Sequence, residues 1–131
     1  MASERRYDVE KVENVDRSVL ETLEYLYPGR RTGVDIRTDE FTSVCPWSGL
    51  PDFAELHVRY VPRLSLVEMK SLKLYLLQFR NVGILQEHAV NRILEDLVAL
   101  LAPLEMEVEA HFRSRGGLST RVVAKYAGGE G

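Results

Sequence analysis

The fold is decided by the stretch Leu104-Glu105-Met106-Glu107-Val108-Glu109-Ala110-His111-Phe112, in which apolar and polar side chains alternate strictly. Successive side chains of a β-strand point to opposite faces, so this pattern predicts a strand with one buried face. The next residues, Ser114-Arg115-Gly116-Gly117, predict a hairpin turn, and residues 118–126 supply the last strand. The C-terminal part of the chain is therefore predicted to form an antiparallel strand pair.

Upstream of this pair, two more strands precede two helices. Residues 34–44 and 53–62 alternate as strands, whereas residues 69–79 and 86–101 carry apolar side chains at helical spacing. The apolar sets are Phe53, Leu56, Val58 and Tyr60 in the second strand, Leu72, Tyr75, Leu76 and Phe79 in the first helix, and Leu85, Ala89, Ile93, Leu97, Leu100 and Leu101 in the second.

The resulting order, β-β-α-α-β-β, predicts an α+β domain with a four-stranded antiparallel sheet and both helices on one face. Such a sheet exposes unpaired backbone groups along its two edge strands. A small protein can cover these edges by joining sheets between subunits, so we expect a homo-oligomer.

Length and composition narrow the class of protein. The 131 residues are 45% hydrophobic and 28% charged with a net charge of −3, which predicts one globular domain and argues against direct binding of nucleic acid. No apolar run is long enough for a membrane span, the N-terminus is polar, and the lone cysteine fits a reducing, cytoplasmic setting. We expect an arm over residues 1–33 with a short helix near residues 15–27, the folded domain over 34–126, and a frayed tail over 127–131.

Cys45 and Asp52 are the first candidates for chemistry. Cys45 stands at the end of a predicted strand and can be a small apolar filler or a nucleophile. Asp52 lies in the following loop and can be a turn former or an acid close to the sulfur. The spacing alone leaves both alternatives open.

The helix starts carry the other candidates. Glu68 lies in the first turn of the first predicted helix, where the helix dipole favours a carboxylate, while Lys70 and Lys73 share a face that is either solvated or binds phosphates. Gln86 and Glu87 begin the second helix, where a carboxylate can serve the helix dipole or accept two N–H groups of a purine-like ring. The histidines at 57, 88 and 111 are scattered and predict no metal site.

The run Glu68-Met69-Lys70-Ser71-Leu72-Lys73-Leu74-Tyr75 resembles the signature of the NADPH-dependent 7-cyano-7-deazaguanine reductases, E-[SL]-K-[SA]-L-K, with Met69 at the variable second position. Thr42-Ser43-Val44-Cys45-Pro46 and Pro51-Asp52-Phe53-Ala54 resemble the family's nucleophile region, and the segment from Glu87 to Asn91 its substrate-binding helix. The resemblance covers about residues 30–126.

The resemblance implies a tunnelling fold (T-fold), in which subunits join their sheets into a barrel and two rings stack with active sites between subunits. It implies reduction of a nitrile to an amine with two NADPH, on the route to the queuosine base of tRNA. Cys45 would form a thioimide with the substrate and Asp52 would donate a proton. Val67, Glu68, Met69, Gln86 and Glu87 would bind the deazapurine, Lys70 and Lys73 the NADPH phosphates, and no metal would be needed.

One position departs from the family's pattern, and two other functions stay open. Many members have a His-Glu pair where this chain has Gln86-Glu87, so a role that needs an imidazole at that position would be absent. A GTP-cyclohydrolase-like T-fold enzyme is one alternative, although its zinc-dependent type uses cysteine and histidine ligands that this chain does not supply. A T-fold protein that only binds a purine or pterin is the other alternative.

Overall fold

The computed structural model describes residues 10–128, and the fold is built from eight regular elements. The strands are β1 (Thr22–Glu24), β2 (Val34–Val44), β3 (Pro51–Val61), β4 (Ser65–Val67), β5 (Glu105–Arg115) and β6 (Leu118–Ala127). The helices are α1 (Met69–Leu77) and α2 (Gln86–Leu101), with short 3-10 turns at Val12–Asn14, Arg17–Val19 and Gln78–Asn81.

The main sheet is antiparallel throughout, in the strand order β2-β3-β5-β6. The strictly alternating stretch that begins at Glu105 forms β5, which pairs with β3 on one side and β6 on the other. Strands β2 and β6 are left at the two edges. The predicted order β-β-α-α-β-β and the four-stranded sheet are thus confirmed, with a small second sheet of β1 and β4 added.

Both helices pack on the sheet face that holds the alternating apolar side chains. Along β5 the buried residues are Met106, Val108, Ala110 and Phe112, and along β3 they are Ala54, Leu56, Val58 and Tyr60. From α2, the side chains of Ala89, Ile93 and Leu97 are fully buried against this face. Apolar burial of this kind supplies most of the free energy that holds the layers together.

Two local expectations were wrong. Phe53 was placed on the buried face of β3, but its side chain is 45% exposed and Ala54 is buried in its stead, because the alternation fixes even-numbered residues inward. The helix predicted near residues 15–27 is replaced by a 3-10 turn and by β1, which pairs with β4 in the register Leu23 to Leu66.

A buried polar cluster fastens the residues that precede β1 to the helices. Asp96 of α2 is 2% exposed and accepts hydrogen bonds from the hydroxyl of Tyr75 at 2.5 Å and from Nε of Arg92 at 2.7 Å. The same guanidinium donates to the carbonyl oxygens of Val12 and Val15. Residues 10–20 are therefore packed onto the domain.

The remainder of the predicted arm, residues 1–9, and most of the predicted tail, residues 129–131, lie outside the described residues.

A backbone junction places the start of α2 beside the end of β2. Val44 donates its N–H to the carbonyl of Val82 and accepts from the N–H of Ile84, both at 3.0 Å. Gly83, between them, donates to the carbonyl of Glu10. Two segments far apart in the sequence thus meet at one end of the sheet.

Within residues 10–128, neither helix combines the length and apolarity needed to cross a bilayer.

Candidate active site

The loop that joins β2 to β3 holds Cys45 at its first position. The Cys45 N–H donates to the carbonyl of Leu50, and the Gly49 N–H donates back to the carbonyl of Cys45, both at 2.9 Å. Gly49 has a φ of +72°, a left-handed conformation that favours glycine. The loop is therefore closed on itself, and it fixes where the thiol emerges from the sheet.

The thiol shares a cavity with three other predicted site residues. Cys45, Asp52, Gln86 and Glu87 all line a cavity of about 220 Å³. Asp52 lies on β3 opposite Ser43 and is only 6% exposed, whereas Glu87 is exposed in the first turn of α2. The β2–α2 junction explains why residues from the two segments meet here. The Cys45 thiol, the buried Asp52 carboxylate and the Glu87 carboxylate at the start of α2 thus line one space.

The surroundings of Cys45 favour its thiolate. Partial burial alone would raise the pKa of the thiol, but hydrogen bonds outweigh it and hold the pKa below its ordinary value. These bonds come from the side chain and backbone of Ser48, the backbone of Trp47 and the guanidinium of Arg115. Because the thiolate is the nucleophilic form of cysteine, the loop prepares Cys45 for attack on an electrophile.

Arg115 is a site residue that the sequence argument missed. It ends β5 next to the Gly116-Gly117 turn, and its Nη1 lies 3.2 Å from Oδ1 of Asp52. The sequence interpretation assigned this segment to a hairpin, which is correct, but the arginine also lines the Cys45 cavity. No local pattern marks it, because its role depends on the tip of the β5–β6 hairpin lying beside the β2–β3 loop.

The lysines predicted to bind phosphates line a different cavity. Met69, Lys70 and Lys73 border a space of about 400 Å³ between α1 and strand β2, together with Arg80. Its apolar lining includes Phe41, Leu72 and Leu76. Among residues 10–128, Lys70, Lys73 and Arg80 form no ion pair with a carboxylate. Within one chain, these cations and Cys45 are not brought together.

Glu68 and Val67 have structural contacts of their own. The carboxylate of Glu68 caps α1 by accepting from the N–H groups of Lys70 at 3.0 Å and Ser71 at 2.8 Å, and these bonds lower its pKa. Val67 is buried and its N–H donates to the hydroxyl of Tyr60. Glu68 thus serves the start of α1, as the N-cap and not from the predicted first turn. A carboxylate retains further lone pairs for a ligand.

The face of the sheet away from the helices brings two of the scattered histidines together. His57 and His111 lie on neighbouring strands with ring centroids 5.6 Å apart, and their nitrogens lie within 4.8 Å of a Glu109 oxygen. Sequence spacing could not show this, because the contact runs across the β3–β5 pair. Arg59 and Arg121 each donate to Glu109, at 2.9 and 2.7 Å. Two guanidinium groups on the only carboxylate of this cluster are unfavourable for a metal cation.

Comparison with known proteins places this geometry in a family. Residues 51–130 match the family described as QueF-like protein. A protein named NADPH-dependent 7-cyano-7-deazaguanine reductase from Caldanaerobacter subterraneus subsp. tengcongensis is 58% identical over 123 residues, which cover 94% of this chain and 92% of that protein. A protein of the same name from Thermoanaerobacter pseudethanolicus is 59% identical with the same coverage.

A solved structure gives the same result at the level of the fold. The crystal structure of the apo form of an archaeosine synthase QueF-like protein superposes with a TM-score of 0.69 at 28% identity, covering 78% of this chain and 99% of that one. The T-fold unit implied by the sequence is therefore confirmed, as is the family resemblance. With a matched domain over more than half its length and relatives close to 60% identical, the chain belongs to the QueF-like family of NADPH-dependent 7-cyano-7-deazaguanine reductases.

Proposed function

We propose that this chain reduces the nitrile of 7-cyano-7-deazaguanine to the aminomethyl group of 7-aminomethyl-7-deazaguanine through a covalent thioimide on Cys45. As a member of the reductase family, the chain is an NADPH-dependent oxidoreductase. The observation that supports the covalent route is the cavity in which the Cys45 thiol, with its lowered pKa, faces Asp52 and Glu87.

The first chemical step needs a nucleophile and a proton. A nitrile carbon accepts hydride poorly until addition to the C≡N bond makes it a better electrophile. The sulfur of Cys45 adds to that carbon, one C–N π bond breaks, and the nitrogen takes up a proton. Asp52 accepts the proton that leaves the thiol and delivers it to this nitrogen, so that thiol plus nitrile give thioimide with no atom lost. The buried position of Asp52 limits exchange of this proton with water.

We assign NADPH binding to the cavity between α1 and β2. The cationic side chains of Lys70, Lys73 and Arg80 suit its phosphates, and the apolar lining beside them suits a flat ring. When bound, two NADPH per product supply the two hydrides that a four-electron reduction of nitrile to amine requires.

Glu87 and Gln86 hold the deazapurine in this proposal. The exposed Glu87 carboxylate can accept two N–H groups from the guanine-like edge of the base, and the neighbouring Gln86 amide can both donate and accept. Val67, Glu68 and Met69 lie at the start of α1, away from this cavity. We assign them to the substrate contacts that an adjoining subunit completes.

The two edges of the sheet support such a shared site. Strand β2 borders the lysine cavity, and β6 borders the Cys45 cavity through Leu118 and Thr120. Joining β2 of one subunit to β6 of the next would place the two cavities side by side and cover both free edges. A homo-oligomer of two stacked rings, with a small-molecule substrate, is the assembly we propose.

The cellular role follows from the substrate class. The net charge of −3 fits an enzyme that acts on a free base in the cytoplasm, before queuosine reaches tRNA, without direct contact with nucleic acid. The archaeosine synthase neighbour is named for a different activity, but at 28% identity it is a more distant relative than the reductases at 58–59%. The purine- or pterin-binding alternative lacks a use for the prepared thiol. The zinc-dependent GTP-cyclohydrolase-like alternative needs histidine ligands beside the thiol, and no histidine among the described residues lines the Cys45 cavity.

A mass-spectrometric experiment tests the covalent route. Mixing the protein with 7-cyano-7-deazaguanine should add one substrate mass to the chain, and NADPH should then remove it and release the amine. The Cys45→Ala variant should show no adduct and no NADPH oxidation. Turnover by Cys45→Ala would refute the thioimide, whereas a wild-type chain that binds the base without adduct or NADPH oxidation would favour the binding-protein alternative.

A further inference from the structure

Arg115 contacts the C-terminal end of the loop that carries Cys45 and the aspartate that follows this loop. Its Nη1 lies 3.2 Å from Oδ1 of Asp52 and donates to the carbonyl oxygens of Leu50 at 3.3 Å and Pro51 at 3.5 Å. Leu50 is the residue whose carbonyl closes the loop on the N–H of Cys45. The guanidinium is therefore bound to the end of the loop that closes on Cys45 and to the Asp52 carboxylate that follows it.

The hairpin that carries Arg115 is built to hold it there. Arg115 pairs with Leu118 across the Gly116-Gly117 turn, in which both glycines have positive φ values of 63° and 83°. A two-residue turn with this geometry matches the twist of an antiparallel pair, so the tip is defined and short. The side chain itself is 40% exposed, and its position depends on its contacts with the β2–β3 loop.

We propose that Arg115 is a positioning residue that locks the Cys45 loop and Asp52 into one arrangement, with the thiol and the carboxylate facing the same cavity. This inference rests on the proposed function, since it assigns Arg115 to the addition of Cys45 to the nitrile. Arg115 does not itself exchange a proton or touch the nitrile in this scheme. It holds Asp52, the proton acceptor of the first step, in position before the reaction begins.

Charge supports the same assignment. Four charged groups line the cavity around Cys45: the guanidiniums of Arg113 and Arg115, and the carboxylates of Asp52 and Glu87. The carboxylates oppose formation of a second anion at the thiol, and the guanidiniums favour it. Arg115 is the cation with contacts to both Cys45 and Asp52 among the described residues. Its removal should therefore raise the pH at which the thiolate forms and loosen Asp52.

The test uses alkylation of the full-length protein without substrate or NADPH. Cys45 is the only cysteine of the chain, so the rate of iodoacetamide modification as a function of pH reports its ionisation alone. In Arg115→Gln the midpoint should move to higher pH and the rate near neutral pH should fall about threefold. Arg115→Lys keeps the charge and should restore part of the shift. Arg121→Gln, which removes a cation paired with Glu109 on the opposite face, should leave the profile as in the wild type.

A second measurement separates positioning from a general loss of structure or of cofactor binding. Adduct formation with 7-cyano-7-deazaguanine, measured without NADPH, should slow at least about tenfold in Arg115→Gln, while the KM for NADPH changes little. An unchanged alkylation profile in both Arg115 variants would overturn the inference, as would a rise in the NADPH KM with normal adduct formation. If Arg115→Gln does not fold, Arg115→Lys decides by the same criteria. If the wild-type protein forms no adduct, but the alkylation midpoint still moves to higher pH in Arg115→Gln, the proposed reductase route would be contradicted. The role of Arg115 in positioning the loop would then be upheld.

Discussion

Replacing Asp52 by asparagine should remove most of the turnover and little of the stability. The side chain of Asp52 is 5% exposed, and that of its ion-pair partner Arg115 is 40% exposed. An asparagine carbonyl can still accept from that guanidinium, and the arginine can be solvated, so the free energy of unfolding should fall by no more than about 1 kcal/mol. The substitution leaves the loop almost as it is but removes the group that carries a proton.

The expected effect on the reaction is much larger. A positioned acid–base group contributes about 10²–10⁴ in rate, which corresponds to roughly 3–5 kcal/mol of barrier. Asp52→Asn should therefore lower kcat by that factor, slow formation of the Cys45 adduct to a similar extent, and leave binding of the deazapurine detectable by calorimetry. The assay is NADPH oxidation followed by its absorbance, with thermal unfolding of the same samples.

A matched variant on the same strand controls for loss of a carboxylate. Glu55 lies on β3 with its side chain on the opposite sheet face and 53% exposed, so Glu55→Gln should keep wild-type adduct formation and stability. A kcat for Asp52→Asn within about threefold of the wild type would refute proton transfer through Asp52. A large loss of folding stability in Asp52→Asn would instead show that Asp52 acts structurally.

Three further predictions concern binding and stability. Glu87→Gln should weaken binding of the deazapurine by about 1.5–3 kcal/mol, seen as a higher KM with nearly unchanged kcat, because hydrogen bonds to a charged group are lost; an unchanged KM would contradict the assignment. Tyr75→Phe should lower the free energy of unfolding by about 1.5–3 kcal/mol in denaturant titration, since it deprives buried Asp96 of a hydrogen bond, while Tyr27→Phe at an exposed ring should change it little. Glu109 has its pKa held at about 2, below the ordinary 4.5, by two guanidiniums and a histidine, so its stabilisation is complete above pH 4.5 and is lost as pH falls towards 2. Glu109→Gln should therefore flatten the loss of stability over that pH range, and equal slopes in the two proteins would refute the argument.

The parts of the fold that the sequence predicts are those in which one face of an element is buried. Strand β5 was predicted because Met106, Val108 and Ala110 alternate with charged residues, and helix α2 because its apolar side chains recur at helical spacing. Residues 15–27 show helical spacing too, yet Leu23 and Leu26 are 55% and 70% exposed. Pairing of β1 with β4, a long-range contact, decided the local structure there.

The candidate site likewise contains residues that the sequence predicts and one that it does not. Cys45 and Asp52 could be proposed from sequence because both lie on one short loop and its adjoining strand. Arg115 could not, because its contact with Asp52 joins residues 63 positions apart through the packing of two hairpin tips, and nothing next to it in the chain differs from an ordinary turn. Contacts of this kind depend on register and bulges, which sequence periodicity does not determine.

The location of Cys45 and of Lys70 and Lys73 in separate cavities has a genetic consequence. If each reaction centre combines the thiol of one subunit with the lysines of another, two inactive alleles can correct each other in one cell. Oligomers assembled from Cys45→Ala and Lys73→Ala chains would regain about a quarter of their centres by random mixing. Two alleles that both alter the Cys45 cavity, such as Cys45→Ala and Asp52→Asn, would not complement beyond the residual activity of the second.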